Sequence, residues 1–298
     1  MISEEQARQM LVEYMEQTGK TQTDVAKEMG ISGPQLSGFL SGTYKTPHRT
    51  IPRVEQFFKI NEKKEVAPKE PGFQRTTVSG IVLDLIEHCH IQGKVGVAYG
   101  DAGIGKTMAI REYVRLNPDT TVYMTISPCF ATVNGAMELL AKEMRIREKM
   151  ARQIYSEAVQ RLKGSNKVVI VDEAQHLTLK GIEQLRHLAE DSGVGMAFVG
   201  NEEIYLKMRG RQEKAYSQLY SRIANRQEVL TNHITREDIA LVFGESGVDG
   251  DAVEILFRIS RTNYGLRGAV NVFVNAAAVF GEVTAKHISR MAKEMNIA

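Results

Sequence analysis

The chain has 298 residues, of which 43% are hydrophobic and 25% charged, and its formal net charge at pH 7 is +2. This is the composition of a globular protein with room for about two domains, and the near-neutral charge neither requires nor excludes nucleic acid, which needs a local basic face rather than a basic total. No apolar run reaches the roughly 18 residues of a membrane span, and the start MISEEQARQM lacks a signal-peptide pattern. The two cysteines, Cys89 and Cys129, are too few for a disulfide framework. We therefore expect a cytoplasmic protein without a membrane partner.

Short helices are predicted for residues 1–58, and within them the stretch QTDVAKEMGISGPQLSGFL resembles a helix-turn-helix of the phage-repressor type. Ala26 is small where the two helices would cross, Gly30 stands where a turn favours positive φ, and Ser32 is a plausible N-cap of the second helix. That second helix, about residues 33–41, would lie in the major groove of DNA.

Two exposed positions of the second helix, Gln35 and Ser37, would face the bases, while Lys45 and Arg49 follow it and could bind phosphates. The helix carries no Arg or Lys, although arginine–guanine pairs are the commonest specific base contacts. A helical module that binds a partner protein is therefore the alternative for this domain.

A charged, proline-containing stretch, KINEKKEVAPKEPG at residues 59–72, lacks helical periodicity and predicts a linker. Short β-branched runs then alternate with helical patterns over residues 73–232, which indicates an α/β core with a parallel sheet covered on both faces. Helical spacing returns in residues 233–298, for which we expect a small helical domain. The five predicted strands cover residues 94–99, 121–126, 167–171, 194–199 and 227–230.

The first predicted strand leads into GDAGIGKT, which matches the phosphate-binding pattern G-x-x-x-x-G-K-[ST] in full and precedes a predicted helix. Glycines let backbone N–H groups converge on phosphate oxygens, and the positive end of the helix dipole points at them. Lys106 would reach the β- and γ-phosphates, and Thr107 would supply a hydroxyl to Mg²⁺. The residues predicted to contact ATP are Gly100, Asp101, Ala102, Gly103, Ile104, Gly105, Lys106, Thr107 and Met108.

The third predicted strand ends in two carboxylates, Asp172 and Glu173, within KVVIVDEAQHL. A buried parallel strand delivers both to the sheet edge beside the phosphate loop, where Asp172 would hold Mg²⁺ and Glu173 would polarise the attacking water. A carboxylate directly after the metal ligand favours water as the nucleophile, and so predicts an ATPase rather than a nucleotide switch or a metabolic kinase. The alternative is that Glu173 is only a charge at a helix N-terminus.

Further polar residues follow later strands. Asn201 comes after the fourth strand and could help Glu173 orient the water, cap the helix NEEIYLKM, or do both. Arg222 and Arg226 in LYSRIANR are predicted to share one helical face, and Arg267 begins a predicted helix in GLRGAVN. Phosphoryl transfer uses such arginines to neutralise developing charge, although each alone could be an ordinary surface residue.

Five stretches of the chain resemble, in order, the motifs of the AAA+ ATPases. They are GDAGIGKT for Walker A, VVIVDEA for Walker B, FVGN for sensor 1, SRIANR for the arginine finger and GLRGAVN for sensor 2. Within that group, VYMTISPCFATV and QLYSRIANRQEV resemble the target-selection ATPases of transposons, the family of the bacteriophage Mu B transposition protein. The resemblance implies a P-loop fold with a helical lid, with Asn201 as sensor 1 and Arg267 as sensor 2. Arg222 becomes the finger, although Arg226 fits the same box. Since a finger acts on a neighbour's nucleotide, self-association into rings or helical filaments is also implied.

If subunits wind around a duplex, the resemblance implies that two loops line it. One is SPCFATVNG, with Thr132, and the other is MRIREKMARQ, with Arg147, Lys149 and Arg152. Contacts there would be to phosphates, and hence largely independent of DNA sequence. The alternative is that the basic run is a solvated helix face.

These features predict an ATP-dependent, non-specific DNA-binding ATPase of a mobile element. Its filament would present double-stranded DNA to a transposase, and hydrolysis would release it; the transposase rests on resemblance alone. Two alternatives stay open: a transcription regulator whose helix-turn-helix reads an operator, and an assembly ATPase like those of secretion systems. The sequence leaves open which transposase is served, whether the assembly is a ring or a helix, and how many subunits form a turn.

Overall fold

The computed structural model describes residues 2–209 and 222–297, and the chain divides into two units, Met1–Pro68 and Lys69–Ala298. Each unit buries its own set of apolar side chains, as domains do. No single helix within the described ranges is long and apolar enough to cross a membrane. One pair of helices in residues 265–294, bent by 108° between them, meets the length and composition criterion only when taken together.

The described part of the N-terminal unit is helical. Its helices are α1 (Glu4–Thr18), α2 (Gln22–Glu28), α3 (Gly33–Leu40) and α4 (Ile51–Val66). Between α2 and α3, Gly30 has a φ of 64°, and the Ser32 side chain caps α3 by accepting the Gln35 N–H at 3.3 Å. Leu36 and Phe39 are fully buried among the helices. The two helices and their turn therefore lie where the sequence pattern predicted them.

The boundary between the two units, after Pro68, falls inside the predicted linker of residues 59–72. Much of that range is helical, however, because α4 continues to Val66. Lysine and glutamate are good helix formers, and Lys63 and Lys64 in the last turn complement the helix dipole. A charged segment without apolar periodicity can therefore be helical. Regular structure is missing only over residues 67–76 of this region.

The second unit is built on a five-stranded parallel sheet with the order β2-β3-β4-β1-β5. The strands are β1 (Val95–Gly100), β2 (Thr121–Thr125), β3 (Val168–Asp172), β4 (Gly195–Gly200) and β5 (Asn225–Val229). Every residue of β1, β3 and β4 is buried, because helices cover both faces of the sheet. That double burial explains why near-continuous apolar runs revealed these strands in the sequence.

Helices form a layer on each face of the sheet. They are α5 (Thr77–Gln92), α6 (Lys106–Leu116), α7 (Val133–Glu143), α8 (Ala151–Leu162), α9 (Leu179–Ser192) and α10 (Glu202–Arg209). One core packs α5 and α6 against Ala98 and Ile170, and the other packs α7, α8 and α9 against Val97 and Phe198. Successive strand residues thus serve opposite faces.

Four helices follow β5 and make the C-terminal lid. They are α11 (Arg236–Phe243), α12 (Gly250–Ser260), α13 (Gly265–Phe280) and α14 (Ala285–Glu294). Their buried residues, such as Leu256, Phe273 and Ile288, join the core that contains α5 and α6. The predicted fold class is confirmed: an α/β core on a five-stranded parallel sheet, C-terminal helices and an all-helical N-terminal unit.

Candidate functional site

A cleft of about 440 Å³ lies at the carboxyl ends of the central strands. Its walls are the segment 70–76, the loop that precedes α6, the residues that follow β3 and β4, and the start of α13. Open parallel sheets bind their ligands outside the carboxyl ends of the strands. The cleft is therefore the candidate functional site of the second unit.

The loop between β1 and α6 has a backbone shape that only glycine permits. Gly103 and Gly105 have φ angles of 72° and 102°. A Cβ on Gly100 would lie 1.8 Å from the carbonyl oxygen of Val229, so no side chain fits there. Lys106 Nζ donates to the carbonyl oxygen of Gly100 at 3.0 Å, which folds the loop around its own lysine. The first residues of α6, with their free N–H groups, line the cleft.

Lys106 carries its charge in a desolvated position. Burial lowers its pKa from the ordinary value of 10.5, the carboxylates of Glu173, Asp172 and Asp101 oppose that shift, and Arg267 adds to it. An anion beside Lys106 and Arg267 would favour the charged form of the lysine. The cleft is thus electrostatically suited to a chain of phosphates.

Thr107 and Asp172 join the start of α6 to the end of β3. Thr107 Oγ1 donates to Asp172 Oδ2 at 2.9 Å, and the hydroxyl of Tyr123 donates to the same oxygen at 3.3 Å. Asp172 is 2% exposed, and its burial raises the pKa of the carboxyl even though Thr107 and the Glu173 N–H hydrogen-bond to its charged form. A hydroxyl and a desolvated carboxylate are hard oxygen donors of the kind that Mg²⁺ takes, so this pair fits the ion.

Glu173 follows β3 in a left-handed conformation, with a φ of 52°. Its carboxylate accepts a hydrogen bond from Gln175 Nε2, and Gln175 Oε1 in turn accepts the Asn201 N–H at 3.2 Å. The Asn201 side chain accepts the Glu203 N–H at 2.9 Å and so caps α10. Among the described residues, the side chain that hydrogen-bonds to Glu173 is therefore that of Gln175 and not that of Asn201. The sequence pattern did not predict this contact, because its only signal is a carboxamide two residues after Glu173.

The start of α13 rests on the phosphate loop. The Arg267 N–H donates to the carbonyl oxygen of Gly103 at 2.8 Å, and the Arg267 side chain lines the cleft. Gly265 has a φ of 61°, and a Cβ there would lie 2.9 Å from the carbonyl oxygen of Ala102. The position of this lid helix therefore depends on the shape of the loop.

Two of the predicted ATP contacts, Gly100 and Asp101, do not line the cleft, whereas residues 102–108 do. The Asp101 carboxylate accepts hydrogen bonds from the N–H and hydroxyl of Thr231, at 2.7 and 3.0 Å. Its own N–H donates to Val229 at 3.0 Å. Because β5 lies beside β1, the first residues of the loop bond to that neighbouring strand and its continuation instead.

Apolar side chains from separate segments also line the cleft, namely Phe73, Val242, Leu266 and Val270. They offer a surface on which a planar purine ring could pack, while Gln74 and Thr76 add polar groups. None of these residues was predicted, since they come together only when the segment before α5, α11 and α13 are folded.

The sequence predicted that Arg222 and Arg226 share one helical face, and this prediction is wrong. Arg222 lies in the turn before β5 and bonds Glu190, whereas Arg226 lies within β5 and its Nη2 donates to the carbonyl oxygen of Ile223 at 3.2 Å. The segment joins the sheet beside β1, and i,i+4 spacing defines a common face only in a helix. Residues 210–221, the start of LYSRIANR among them, lie outside the described residues.

The candidate DNA contacts of the second unit are exposed. Thr132 caps α7 by accepting the Gly135 N–H at 3.2 Å. Arg147 and Lys149 lie in the connection between α7 and α8 rather than on a helix face, and Arg152 lies in the first turn of α8. These three cations have no ion-pair partner in the described part of the chain.

In the N-terminal unit, Ser37 on α3 is exposed, as are Lys45 and Arg49 between α3 and α4. Gln35 is half-buried, and its Nε2 donates to Thr50 Oγ1 at 3.4 Å. Gln35 is therefore partly engaged within its own unit, whereas the other three candidates face solvent.

The order of the strands, with the carboxylate pair on β3 facing the phosphate loop of β1, places the chain among the P-loop ATPases of the AAA class. The family model described as an AAA domain matches residues 90–208. In fold, the chain is similar to the Walker-type ATPase of Pyrococcus abyssi, with a TM-score of 0.51 at 16% identity over 77% of this chain and 76% of that one.

Comparison with characterised sequences narrows the class to a family. The chain is 30% identical over 263 residues to the ATP-dependent target DNA activator B of Escherichia phage Mu, covering 86% of this chain and 82% of that protein. It is 29% identical over 267 residues to the Mu-like prophage FluMu DNA transposition protein B of Haemophilus influenzae, covering 86% and 91%. The chain belongs to the family of these target DNA activator B proteins.

Proposed function

We propose that this protein binds ATP and Mg²⁺ in the cleft, assembles on duplex DNA with little regard to sequence, and delivers that DNA to a transposase. Hydrolysis of ATP drives disassembly, and the cytoplasm is the place of action. One observation carries the proposal. In this chain, which is similar to the ATP-dependent target DNA activator B of phage Mu, Lys106 and the hydrogen-bonded pair Thr107 and Asp172 line the same cleft.

In the proposed hydrolysis, Lys106 and the N–H groups of the loop bind the β- and γ-phosphates. Thr107 and Asp172 hold Mg²⁺, which neutralises charge on the phosphate oxygens when bound. Glu173 takes a proton from the attacking water as the water oxygen bonds to the γ-phosphorus and the bond to the bridging oxygen breaks. The products are ADP and inorganic phosphate.

Two further residues complete the proposed site within one chain. Arg267, on the lid helix that rests on the phosphate loop, offsets charge on the γ-phosphate, and Asn201 senses that phosphate from the end of β4. Arg222, which does not border the cleft of its own chain in the described structure, is proposed to reach a neighbour's cleft. ATP bound between subunits would then stabilise a helical filament or a ring.

Both units are proposed to contact DNA. In the second unit, the contacts are Thr132 and the cations Arg147, Lys149 and Arg152, which would bind phosphates. In the N-terminal unit, α3 would carry Gln35 and Ser37 towards the groove, with Lys45 and Arg49 on phosphates. Binding of a partner protein by this unit remains the competing role, and a variant lacking charge at Lys45 and Arg49 separates the two by its DNA affinity.

Electron microscopy of the protein with duplex DNA and a non-hydrolysable ATP analogue tests the proposal. We expect protein-covered DNA with the analogue, none without nucleotide, and none for Lys106→Ala. Bare DNA under all conditions would contradict assembly on DNA. Coverage confined to particular sequences would instead support an operator-reading regulator, because each mismatched base pair then costs about 1–3 kcal/mol.

A further inference from the structure

The carboxylate of Glu173 accepts a hydrogen bond from a side chain that has no role in the proposed hydrolysis. Gln175 lies in the short turn after β3, is 7% exposed, and donates from Nε2 to Glu173 Oε2. Glu173 itself has a left-handed backbone, which is uncommon for a residue with a side chain and has to be stabilised by its surroundings. Gln175 is part of those surroundings.

Both ends of the Gln175 carboxamide are used. Nε2 faces an oxygen that can only accept, and Oε1 faces the Asn201 N–H, which can only donate, at 3.2 Å. These two partners fix the orientation of the amide without ambiguity. A glutamate at this position would keep the second bond and lose the first, and a leucine would lose both.

The end of β4 is shaped to receive this amide. A Cβ on Gly200 would lie 2.4 Å from Gln175 Oε1 and 3.2 Å from the Gln175 nitrogen, so the strand needs a glycine there. From α10, Lys207 Nζ donates to the carbonyl oxygens of Gln175 and Leu177, the latter at 3.2 Å. The turn after β3 is thus bonded to both β4 and α10.

We propose that Gln175 is a positioning residue for ATP hydrolysis: its carboxamide holds the Glu173 carboxylate at the cleft and ties it to the backbone of Asn201. A displacement of β4 or α10 then changes the position of the base, so that the end of β4 acts on Glu173 through Gln175 rather than through the Asn201 side chain. The inference rests on the proposed role of Glu173, and Gln175 acts only through that residue.

Steady-state and single-turnover ATP hydrolysis by Gln175→Leu and Gln175→Glu tests this inference, with Gln153→Leu on the exposed side of α8 as the control. We expect kcat to fall by about 10- to 100-fold in both Gln175 variants. The affinity for a fluorescent ATP analogue should change by less than about twofold, because the phosphate loop is untouched. Gln175→Glu keeps the acceptor for Asn201, so an equal loss in both variants assigns the effect to the bond with Glu173.

A double variant separates positioning from stability. Adding Gln175→Leu to Glu173→Gln should cause no further loss of the residual hydrolysis, whereas a structural role would cause the same loss in either background and lower Tm. Unchanged kcat in Gln175→Glu overturns the inference, as does an additive loss. If Glu173→Gln itself retains full turnover, the proposed role of Glu173 fails first, and the inference falls with it.

Discussion

The carboxylate of Glu190 holds the guanidinium of Arg222 through both of its oxygens, at 3.2 and 3.3 Å from Nη1. The same carboxylate forms an ion pair with Arg186, whose Nη1 lies 2.5 Å from Glu190 Oε1. The side chain of Arg186 is 8% exposed, whereas that of Arg222 is 59% exposed. One carboxylate therefore neutralises a buried arginine and orients an exposed one.

Glu190→Gln should lower the free energy of unfolding by about 1–3 kcal/mol at pH 7, because Arg186 would keep a buried charge without its carboxylate. Burial raises the pKa of Glu190, but Arg186 and Arg222 lower it more, so it lies below the ordinary 4.5. A carboxyl with a depressed pKa stabilises the fold above its unfolded value and loses that contribution as the pH falls. Urea unfolding from pH 7 down to about pH 3.5 measures the free energy of unfolding of the variant and the wild type. The difference between the two should become smaller below pH 4.5.

The control for this experiment is Glu157→Gln, which breaks an exposed i,i+4 pair with Arg161 on α8. A pair of that kind contributes only about 0.3–0.5 kcal/mol. The assigned role of the Glu190 carboxylate is contradicted if Glu190→Gln lowers the free energy of unfolding no more than Glu157→Gln does. It is also contradicted if the loss caused by Glu190→Gln stays constant on acidification.

Arg222→Ala should reduce ATP turnover on DNA by roughly 100-fold or more if its guanidinium completes a neighbour's site. Mixing Arg222→Ala with Lys106→Ala subunits should restore part of the activity, because the second variant supplies the finger and the first an intact cleft. Arg226→Ala is the matched test of the other candidate, and we expect it to retain turnover, since Arg226 lies within β5 and its side chain donates to the carbonyl oxygen of Ile223. Mixtures no more active than their components would exclude a site shared between subunits.

Gly265→Ala should weaken ATP binding by about tenfold, since the added Cβ would press on the carbonyl oxygen of Ala102 in the phosphate loop. Gly247→Ala is the control: its φ of 68° matches the 61° of Gly265, but a Cβ there meets nothing within 4 Å. Backbone strain is therefore equal in the two variants, and only one of them touches the loop. Titration with a fluorescent ATP analogue measures the difference, and equal affinities would show that the contact between lid and loop does not affect binding.

How far the sequence predicts this site depends on the distance between its parts along the chain. The loop around Lys106 and the carboxylates after β3 could be located because local patterns, a glycine-rich turn and a buried strand, specify them. The contact of Asp101 with Thr231 spans 130 residues, and that of Gln175 with Asn201 spans 26, so only the folded sheet brings them together. Arg226 was misplaced for a related reason, since tertiary pairing with β1 overrode a spacing that also suits a helix.

Lys149→Ala should weaken binding to duplex DNA about equally for all sequences, because the exposed cation between α7 and α8 would contact a phosphate. The slope of log Kobs against log salt concentration should shrink by about 1, as one fewer counterion is released. Lys293→Ala, which removes another exposed cation near the end of α14, changes the net charge by the same amount and serves as the control. If both variants shift the slope equally, the effect belongs to the total charge of the protein. If only Lys149→Ala shifts it, the α7–α8 connection is a DNA contact, and the same measurement on Arg147→Ala shows how far that contact extends.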